Sequence, residues 1–373
     1  MVMATSVGAA AALFSVFFGG LAVAPKGRLT RIPGAIGAAG AAGLAWLAVV
    51  TLARAQGWVR TEEAQFHHLY ILAVVGLPAV GVVVFISSLL RPANDLRARY
   101  GGRLIAAAFV MPAVVGLYAT NIEPGWLRVE NVSVGDGGVR IAVVADVQTD
   151  EFGEFEDEAI ATVNDEQPDL IVVPGDVTQV SPAEYDQIAV DAASALGALD
   201  AAGGVFIISG NTDPSPVSIA ELAKDAGITA LDDAVVQVDV DGQQVRLLGL
   251  SWPNNQRGAI RDAIDAFTAG STEDSIDIVL AHSPDVIFNV ADSAGIDLII
   301  SGHTHGGQIQ VPFYGPVWNV TELPRQVAAG GLHELRGIPT YVSPGIGVNR
   351  GESPKIRFGV RPTIAILDVG VKP

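Results

Sequence analysis

The segment Ser301-Gly302-His303-Thr304-His305-Gly306-Gly307-Gln308 sets two imidazoles one residue apart between glycines. It follows the apolar run Ile296-Asp297-Leu298-Ile299-Ile300, whose length and flanking turn residues read as a buried strand. Both rings then sit on the loop at a strand's carboxyl end, where open α/β sheets build their sites. The glycines permit tight turns that aim two rings into one small volume. Two rings so placed are candidate metal ligands.

Four other segments repeat the pattern. Val139–Ala145 leads into Asp146-Val147-Gln148, and Leu170–Pro174 leads into Gly175-Asp176. Val205–Ser209 leads into Gly210-Asn211-Thr212-Asp213, and Ile276–Ala281 leads into His282. A single Asp at a strand end is usually a turn former or a helix cap. Five strand ends that each carry Asp, Asn, Gln or His are too many for turn chemistry alone.

The order D-x-Q, G-D, G-N-x-D, H, G-H-T-H resembles the calcineurin-like metallophosphoesterase superfamily, whose usual pattern is D-x-H, G-D, G-N-H-[DE], H, G-H-x-H. The continuation Gly306-Gly307-Gln308-Ile309-Gln310-Val311-Pro312, with Tyr341-Val342-Ser343-Pro344-Gly345-Ile346-Gly347, resembles a membrane-associated bacterial and archaeal branch. The likeness runs over about residues 135–370. It implies a four-layer αββα sandwich, two β-sheets flanked by helices, with two divalent metal ions (Mn, Fe, Zn or Co) at the strand ends. By motif, Asp146, Gln148, Asp176 and His305 hold the first ion. Asp176, Asn211, His282 and His303 hold the second, with Asp176 bridging. Asp176, Asn211 and His303 also count as catalytic. Carboxylate, amide and imidazole donors suit such ions, and a bridging carboxylate can hold two of them ~3.5–4 Å apart. The implied reaction is hydrolysis of a phosphomonoester, phosphodiester or pyrophosphate by metal-bound hydroxide.

Two positions depart from the pattern. Gln148 stands where the family usually has histidine, and an amide oxygen is the weaker donor. Thr212 replaces the histidine that usually assists the leaving group, a role worth typically ~10²–10⁴-fold. His333 lies outside every motif block and reads as a surface residue. The two departures keep a second reading open: a weakly catalytic or inactive metal-binding module that recognises an envelope partner.

Other chemistries are excluded by composition. The chain has no cysteine, so thiol catalysis and thiolate-bound zinc are absent. Gly34, Gly37, Gly40 and Gly43 form a glycine series without the Lys-Ser/Thr of a phosphate loop. A sequence pI near 4.6 and the lack of a basic tract argue against nucleic acid as a partner.

The elements that carry these loops follow a segment of different character. Residues 1–120 hold nine Lys/Arg and three Asp/Glu, whereas residues 121–373 hold thirteen and thirty-seven. Four uncharged apolar stretches, about Ala4–Ala24, Ile32–Val50, Leu69–Leu90 and Leu104–Thr120, each approach the ~20 residues that cross a bilayer. The expected organisation is therefore a four-helix transmembrane region over 1–120 and the metallophosphoesterase domain over 121–373. Basic residues concentrate in the first loop (Lys26, Arg28, Arg31) and the third (Arg91, Arg97, Arg99, Arg103). The middle loop pairs Arg54 and Arg60 with Glu62 and Glu63. Positive loops stay in the cytoplasm, which places both termini and the catalytic domain outside the cell membrane. Ala22-Val23-Ala24 also fits a signal-peptide cleavage site, but the preceding segment lacks a positive start.

The acidic cluster from Asp150 to Glu158 reads as the start of a solvated helix, with its acids at the positive end. The lipid bilayer and a phosphorylated small molecule or lipid are the expected partners. Asn254, Asn255, Arg257, Tyr314 and Arg350 are candidate pocket residues, and either arginine has the fork geometry that grips a phosphate.

Overall fold

The computed structural model describes residues 62–370 apart from 91, 93, 253–256, 292–294 and 351–353. The first two apolar stretches, the first basic loop, the glycine series and Asn254 and Asn255 lie outside the described residues, as does the side chain of Arg257.

The described residues fall into two compact units. In the first, the helix Glu62–Ile71 runs through a π-helical turn, Leu72–Gly76, into the helix Leu77–Leu89. Pro78 explains the turn: its ring conflicts with the carbonyl four residues earlier, at Val74, so the helix widens there. Within the 23 residues His67–Leu89, the most apolar 18-residue stretch has a mean hydropathy of 2.7. The next helix, Leu96–Asn121, opens a 27-residue candidate span, Arg99–Gly125, whose most apolar 18-residue stretch has a mean hydropathy of 1.8. At ~1.5 Å per residue both exceed a ~30 Å hydrocarbon core. They match the third and fourth predicted stretches, and they expose Val82, Phe85, Ile86, Leu104, Met111 and Leu117.

The second unit runs over Ala119–Arg350 and resumes at Lys355. One sheet contains β1 (Arg128–Val134), β2 (Val139–Val143), β3 (Leu170–Val173), β4 (Val205–Ile207), β5 (Thr229–Ala230) and β14 (Thr363–Val369), in the order β1-β14-β2-β3-β4-β5. The other contains β6 (Ala234–Val240), β7 (Gln243–Leu250), β8 (Ser275–Ala281), β9 (Leu298–Ser301), β12 (Gly331–Leu335) and β13 (Ile338–Val342), in the order β12-β13-β9-β8-β7-β6. A small hairpin pairs β10 (Gln310–Val311) with β11 (Gly315–Pro316). β2, β3 and β4 are parallel neighbours, as are β7, β8, β9 and β13. Their carboxyl ends therefore emerge together on each sheet.

Alternation along the strands builds the layers. Val139, Ile141 and Val143 of β2 meet Ile276, Ile278 and Leu280 of β8 in the core between the sheets. Ala142 and Val144 face outward and pack with Ala159, Val163, Ala192, Leu196, Ile219 and Leu222 from three helices. Those helices are Glu154–Asp165, Tyr185–Leu196 and Pro216–Ala226. On the far side, Leu248, Val279 and Ile299 pack with Ile264 and Phe267 of the helix Arg257–Thr268. Both faces of each sheet are covered, so its parallel strands are apolar throughout rather than alternating with polar residues. The acidic cluster does open a helix: Glu154, Glu156 and Asp157 fill its first turn, and Gly153 N donates to the Glu156 carboxylate at 3.1 Å.

Candidate metal centre

All five ligand loops leave strand carboxyl ends, and they converge. Asp146 and Gln148 follow β2, Asp176 follows β3, Asn211 follows β4, His282 follows β8, and His303 and His305 follow β9. One donor atom each from Asp146, Asp176 and His282 lies within 4.8 Å of the others, all three residues being buried. Gln148 Nε2 donates to Asp176 Oδ2 at 3.2 Å. His282 Nε2 lies 2.8 Å from Asn211 Oδ1 and 3.4 Å from Asp176 Oδ2. His303 Nδ1 sits 3.2 Å from His282 Nε2. Six of the seven predicted ligands thus meet in one cluster, and His305 is buried two residues after His303 on the same loop.

Local backbone conformation does much of the aiming. Asp146, Gln148, Asp176, His303 and His305 all have positive φ, between 42° and 71°. Non-glycine residues rarely take that conformation and cluster at functional sites when they do. Here the strain turns five side chains inward at the points where strands end. Gly210 has a separate role. A Cβ there would lie 2.8 Å from the carboxyl carbon of Asp176, so only hydrogen allows the two loops to approach.

Asp213 clamps the same loops. Its carboxylate accepts from the backbone N–H groups of Asp176 (2.8 Å), Val177 (2.9 Å) and Gly210 (2.7 Å). Burial, with Asp176 nearby, pushes its pKa up to about 6. Asp146 accepts from His303 N at 2.9 Å and so fixes the histidine loop. Trp252 stacks on His303 and stands edge-on to His282, with centroids 5.9 Å apart in both cases. Arg357, fully buried, donates to the carbonyls of Pro344, Gly345 and Gly347, and that loop bonds back to Asp146 O. Asp213 stood inside the G-N-x-D motif, so its place was legible though its role was not. Trp252 and Arg357 gave no sequence signal.

Charge in the cluster is unevenly shared. For Asp176, burial alone would raise the pKa, but His282, with its hydrogen bond, holds it down at about 2. Burial lifts Asp146 to about 7, His282 and Arg357 opposing. Against burial, Asp176 and Asp146 raise His282 to about 9. Burial and the neighbouring cations lower His303 to about 4 and His305 to about 3, so both are neutral. His282 Nδ1 faces the carbonyl of Pro174 at 2.8 Å. That bond fixes the tautomer and leaves Nε2 as the ligating nitrogen once its proton is lost.

These residues fit a divalent metal ion. Gln148 Oε1 and His305 Nδ1 are buried and have no hydrogen-bond partner among the described residues. Leaving such atoms unpartnered costs about 1–3 kcal/mol each unless something else binds them. An acceptor oxygen and an imidazole nitrogen beside two carboxylates form a donor set for a divalent cation. The site is also asymmetric: Asp146, Gln148, Asp176 and His305 are buried, while Asn211 is exposed and His303 half-buried. The cluster is therefore open to solvent on the Asn211 and His303 side. Nearby, a cavity of about 220 Å³ opens beside Trp252 and His282, walled by Ile260, Val286, Phe288 and Asp285.

The remaining candidates fall elsewhere. Thr212 donates its backbone N–H to Asp176 Oδ1 at 2.8 Å and its hydroxyl to Thr178 O at 2.8 Å. Arg350 donates to Gln148 O at 2.8 Å and pairs with Asp150, so its guanidinium is engaged beside the site rather than open to a phosphate. Tyr314 is exposed on the β10–β11 hairpin, and His333 sits on the edge strand β12 with Nε2 3.1 Å from Gly330 O.

Residues 139–307 match the family model for calcineurin-like phosphoesterases. The chain carries a calcineurin-like phosphoesterase domain. It is 28% identical over 283 residues to an uncharacterized metallophosphoesterase, YkuE, of Bacillus subtilis, covering 71% of this chain and 93% of that protein. Phosphodiesterase YaeI of Escherichia coli is 28% identical over 267 residues, covering 68% of this chain and 92% of its own length. A transmembrane protein with a metallophosphoesterase domain from Danio rerio is 25% identical over 292 residues, covering 69% of this chain and 61% of that protein. The reaction class is metal-dependent phosphoester hydrolysis.

Proposed function

We propose that this chain is a membrane-anchored, dinuclear-metal phosphodiesterase whose centre lies outside the cytoplasm and acts on a lipid-linked phosphoester. The observation that carries the metal reading is the pair of unpartnered buried atoms, Gln148 Oε1 and His305 Nδ1, beside Asp146 and Asp176. Asp146, Gln148, Asp176 and His305 would hold one ion; Asp176, Asn211, His282 and His303 would hold the other. Bound there, the ions supply Lewis acidity toward the phosphoryl oxygens and lower the pKa of water.

The chain's own residues do the rest. Asp176 is held ionised and shared by both positions, and Asp213 fixes its backbone. Trp252 keeps the rings of His282 and His303 in place. Neutral His303 faces the open side, where it can bond a phosphoryl oxygen. Thr212 spends its hydroxyl proton on Thr178 O, so it offers none to a leaving group. That favours esters whose leaving group departs without an acid. Activity named for the Escherichia coli relative supports a diester. The cavity beside Trp252, lined by apolar side chains such as Ile260, Val286 and Phe288 and by the acids Asp285 and Glu322, suits an apolar, non-anionic part of the substrate.

Two apolar helices long enough to span, and Arg91, Arg97, Arg99 and Arg103 at their junction, the last three in the first turns of the helix Leu96–Asn121 rather than in a loop, support the anchored, outward-facing arrangement. A phosphatase reporter fused after Pro373 should be active only when exported; activity confined to the cytoplasm would reverse the topology. Turnover of bis-p-nitrophenyl phosphate by the full chain should exceed that of p-nitrophenyl phosphate; the opposite ranking would make it a monoesterase.

A further inference from the structure

Between Gly306 and Thr321 the chain has no Asp, Glu, Lys or Arg, although residues 121–373 carry fifty such side chains. That segment forms the β10–β11 hairpin and the strap that follows it. Phe313, at the tip, is fully exposed with φ 68°, and Val311, Tyr314, Val317, Trp318 and Val320 are exposed as well. A contiguous patch of this kind marks a binding surface.

The hairpin is held as a built element. Arg325 lies over the Tyr314 ring, 4.7 Å from its centroid, and donates to the carbonyls of Pro316 and Val317. The Gly307 backbone packs so closely on Pro316 that a Cβ there would touch the carbonyl of Trp318 at 2.7 Å. Gln310 N donates to Phe358 O, and Phe358 N donates to Gln308 O. The tip is thus fixed on the same chain segment as the histidine loop, eight residues after His305.

Its position in the domain points to an occupant. Arg357, next to Phe358, donates its N–H to Ala119 O, at the end of the helix Leu96–Asn121. Just beyond that helix, Ile122 and Trp126 are exposed, with Arg361 stacked 4.2 Å from the Trp126 ring centroid. A short run of backbone bonds therefore joins the aromatic hairpin, the end of an apolar span and the histidine loop. Exposed aromatics, two of them stacked under arginines, near the end of such a span have the composition of a membrane–water interface.

We propose that the β10–β11 hairpin inserts its tip into the lipid interface beside the metal centre, so that the site meets phosphoesters presented from the bilayer. The inference rests on the membrane-anchored reading above. The domain is strongly acidic, thirty-seven acids against thirteen bases, so attraction to anionic lipid does not drive the contact. Burial of aromatic and aliphatic side chains does, and the surface engaged is the neutral headgroup region.

The absence of cysteine makes the test clean. Phe313→Cys and, as control, Val190→Cys on the exposed face of the helix Tyr185–Leu196 each give the full chain one thiol for an environment-sensitive fluorophore. In phosphatidylcholine nanodiscs, the label at 313 should be quenched by a headgroup-level nitroxide lipid. It should also be about threefold less accessible to iodide than the label at 190. Equal iodide access at both positions would overturn the proposal. Shielding at 313 without nitroxide quenching would also overturn it, because a protein contact would then cover the tip. If carbonate strips the full chain from membranes, the anchored reading fails and this one with it. An integral chain with a water-exposed tip defeats the hairpin alone. Phe313→Glu should lower hydrolysis of a long-chain alkyl p-nitrophenyl phosphodiester in nanodiscs about tenfold, and soluble bis-p-nitrophenyl phosphate less than about twofold. Equal losses on both substrates would also refute the insertion.

Discussion

Replacing Gly210 with alanine adds one methyl group, and the structure makes it one of the most damaging small changes available. The new Cβ would stand 2.8 Å from the Asp176 carboxyl carbon and inside contact distance of its Oδ1 and backbone N, where ordinary contact begins near 3.4 Å. Gly210 has no left-handed φ, so the effect is steric rather than conformational. The Asp176 carboxylate must therefore retreat by about 0.6 Å or more, against a ligand tolerance of about 0.2 Å. Overpacking of this kind costs about 1–3 kcal/mol of stability. Displacing a reacting group by an ångström costs about 10²-fold in rate. Gly210→Ala should accordingly fold, lose most of its bound metal and hydrolyse bis-p-nitrophenyl phosphate about 100-fold more slowly. Gly153→Ala, where an added Cβ meets nothing within 4 Å, is the matched control and should behave as the parent. Metal analysis and initial rates on the full chain in detergent decide it. A Gly210→Ala protein with full metal content and a rate within threefold of the parent, on the order of 0.6 kcal/mol, would refute the close approach and the bridging role built on it.

Asp213→Ala leaves three buried amides without an acceptor, each worth about 1–3 kcal/mol, so the penalty is at least about 3 kcal/mol. Thermal melting should fall by at least about 6 °C for a domain of this size, and an unchanged melt would contradict the clamp. Against that loss, an acid whose folded pKa is raised to about 6 has its stabilising margin below pH 4 and loses it as pH rises through 6. The Asp213→Ala penalty should therefore be larger at pH 5 than at pH 7. His282, raised to about 9, is protonated in the metal-free site at pH 7.5, so binding the ion at that position should release about one proton per chain. Calorimetry in two buffers of different ionisation heat measures it; pH-independent affinity between pH 7 and 9 would contradict it. Thr212→His should raise turnover on substrates with poor leaving groups, by up to ~10²-fold, and leave good ones unchanged. A uniform loss would place leaving-group protonation elsewhere.

Much of the centre was legible because its ligands end apolar strands. β2, β3, β4, β8 and β9 each show as an uncharged or nearly uncharged run, and the first ligand lies one to four residues past the end of each strand. Parallel pairing gathers those ends, and the ordered motifs supplied the pairing. Long-range consequences were not legible. Nothing in a local pattern says that Trp252, after β7, would stack on a histidine fifty-one residues later. Arg357 reads as an ordinary charge, yet it is buried under three carbonyls of the loop that braces Asp146. Arg350 looked like a phosphate clamp by type, and its engagement by Asp150 and the Gln148 carbonyl depends on where two distant loops meet. The left-handed backbone at five ligands also escapes residue propensity, because the surrounding fold imposes it. Of the four apolar stretches, the last two form helices of spanning length, and the first two lie outside the described residues.

The most direct test of the dinuclear centre is metal stoichiometry measured together with turnover in the full chain and in Asp176→Ala. The parent, loaded with Mn²⁺, Fe²⁺, Co²⁺ or Zn²⁺, should hold two ions and hydrolyse bis-p-nitrophenyl phosphate with at least one of them. Asp176→Ala, lacking the carboxylate shared by both positions, should hold fewer than two ions and show no turnover. A variant that keeps two ions and its activity would contradict the account at its centre.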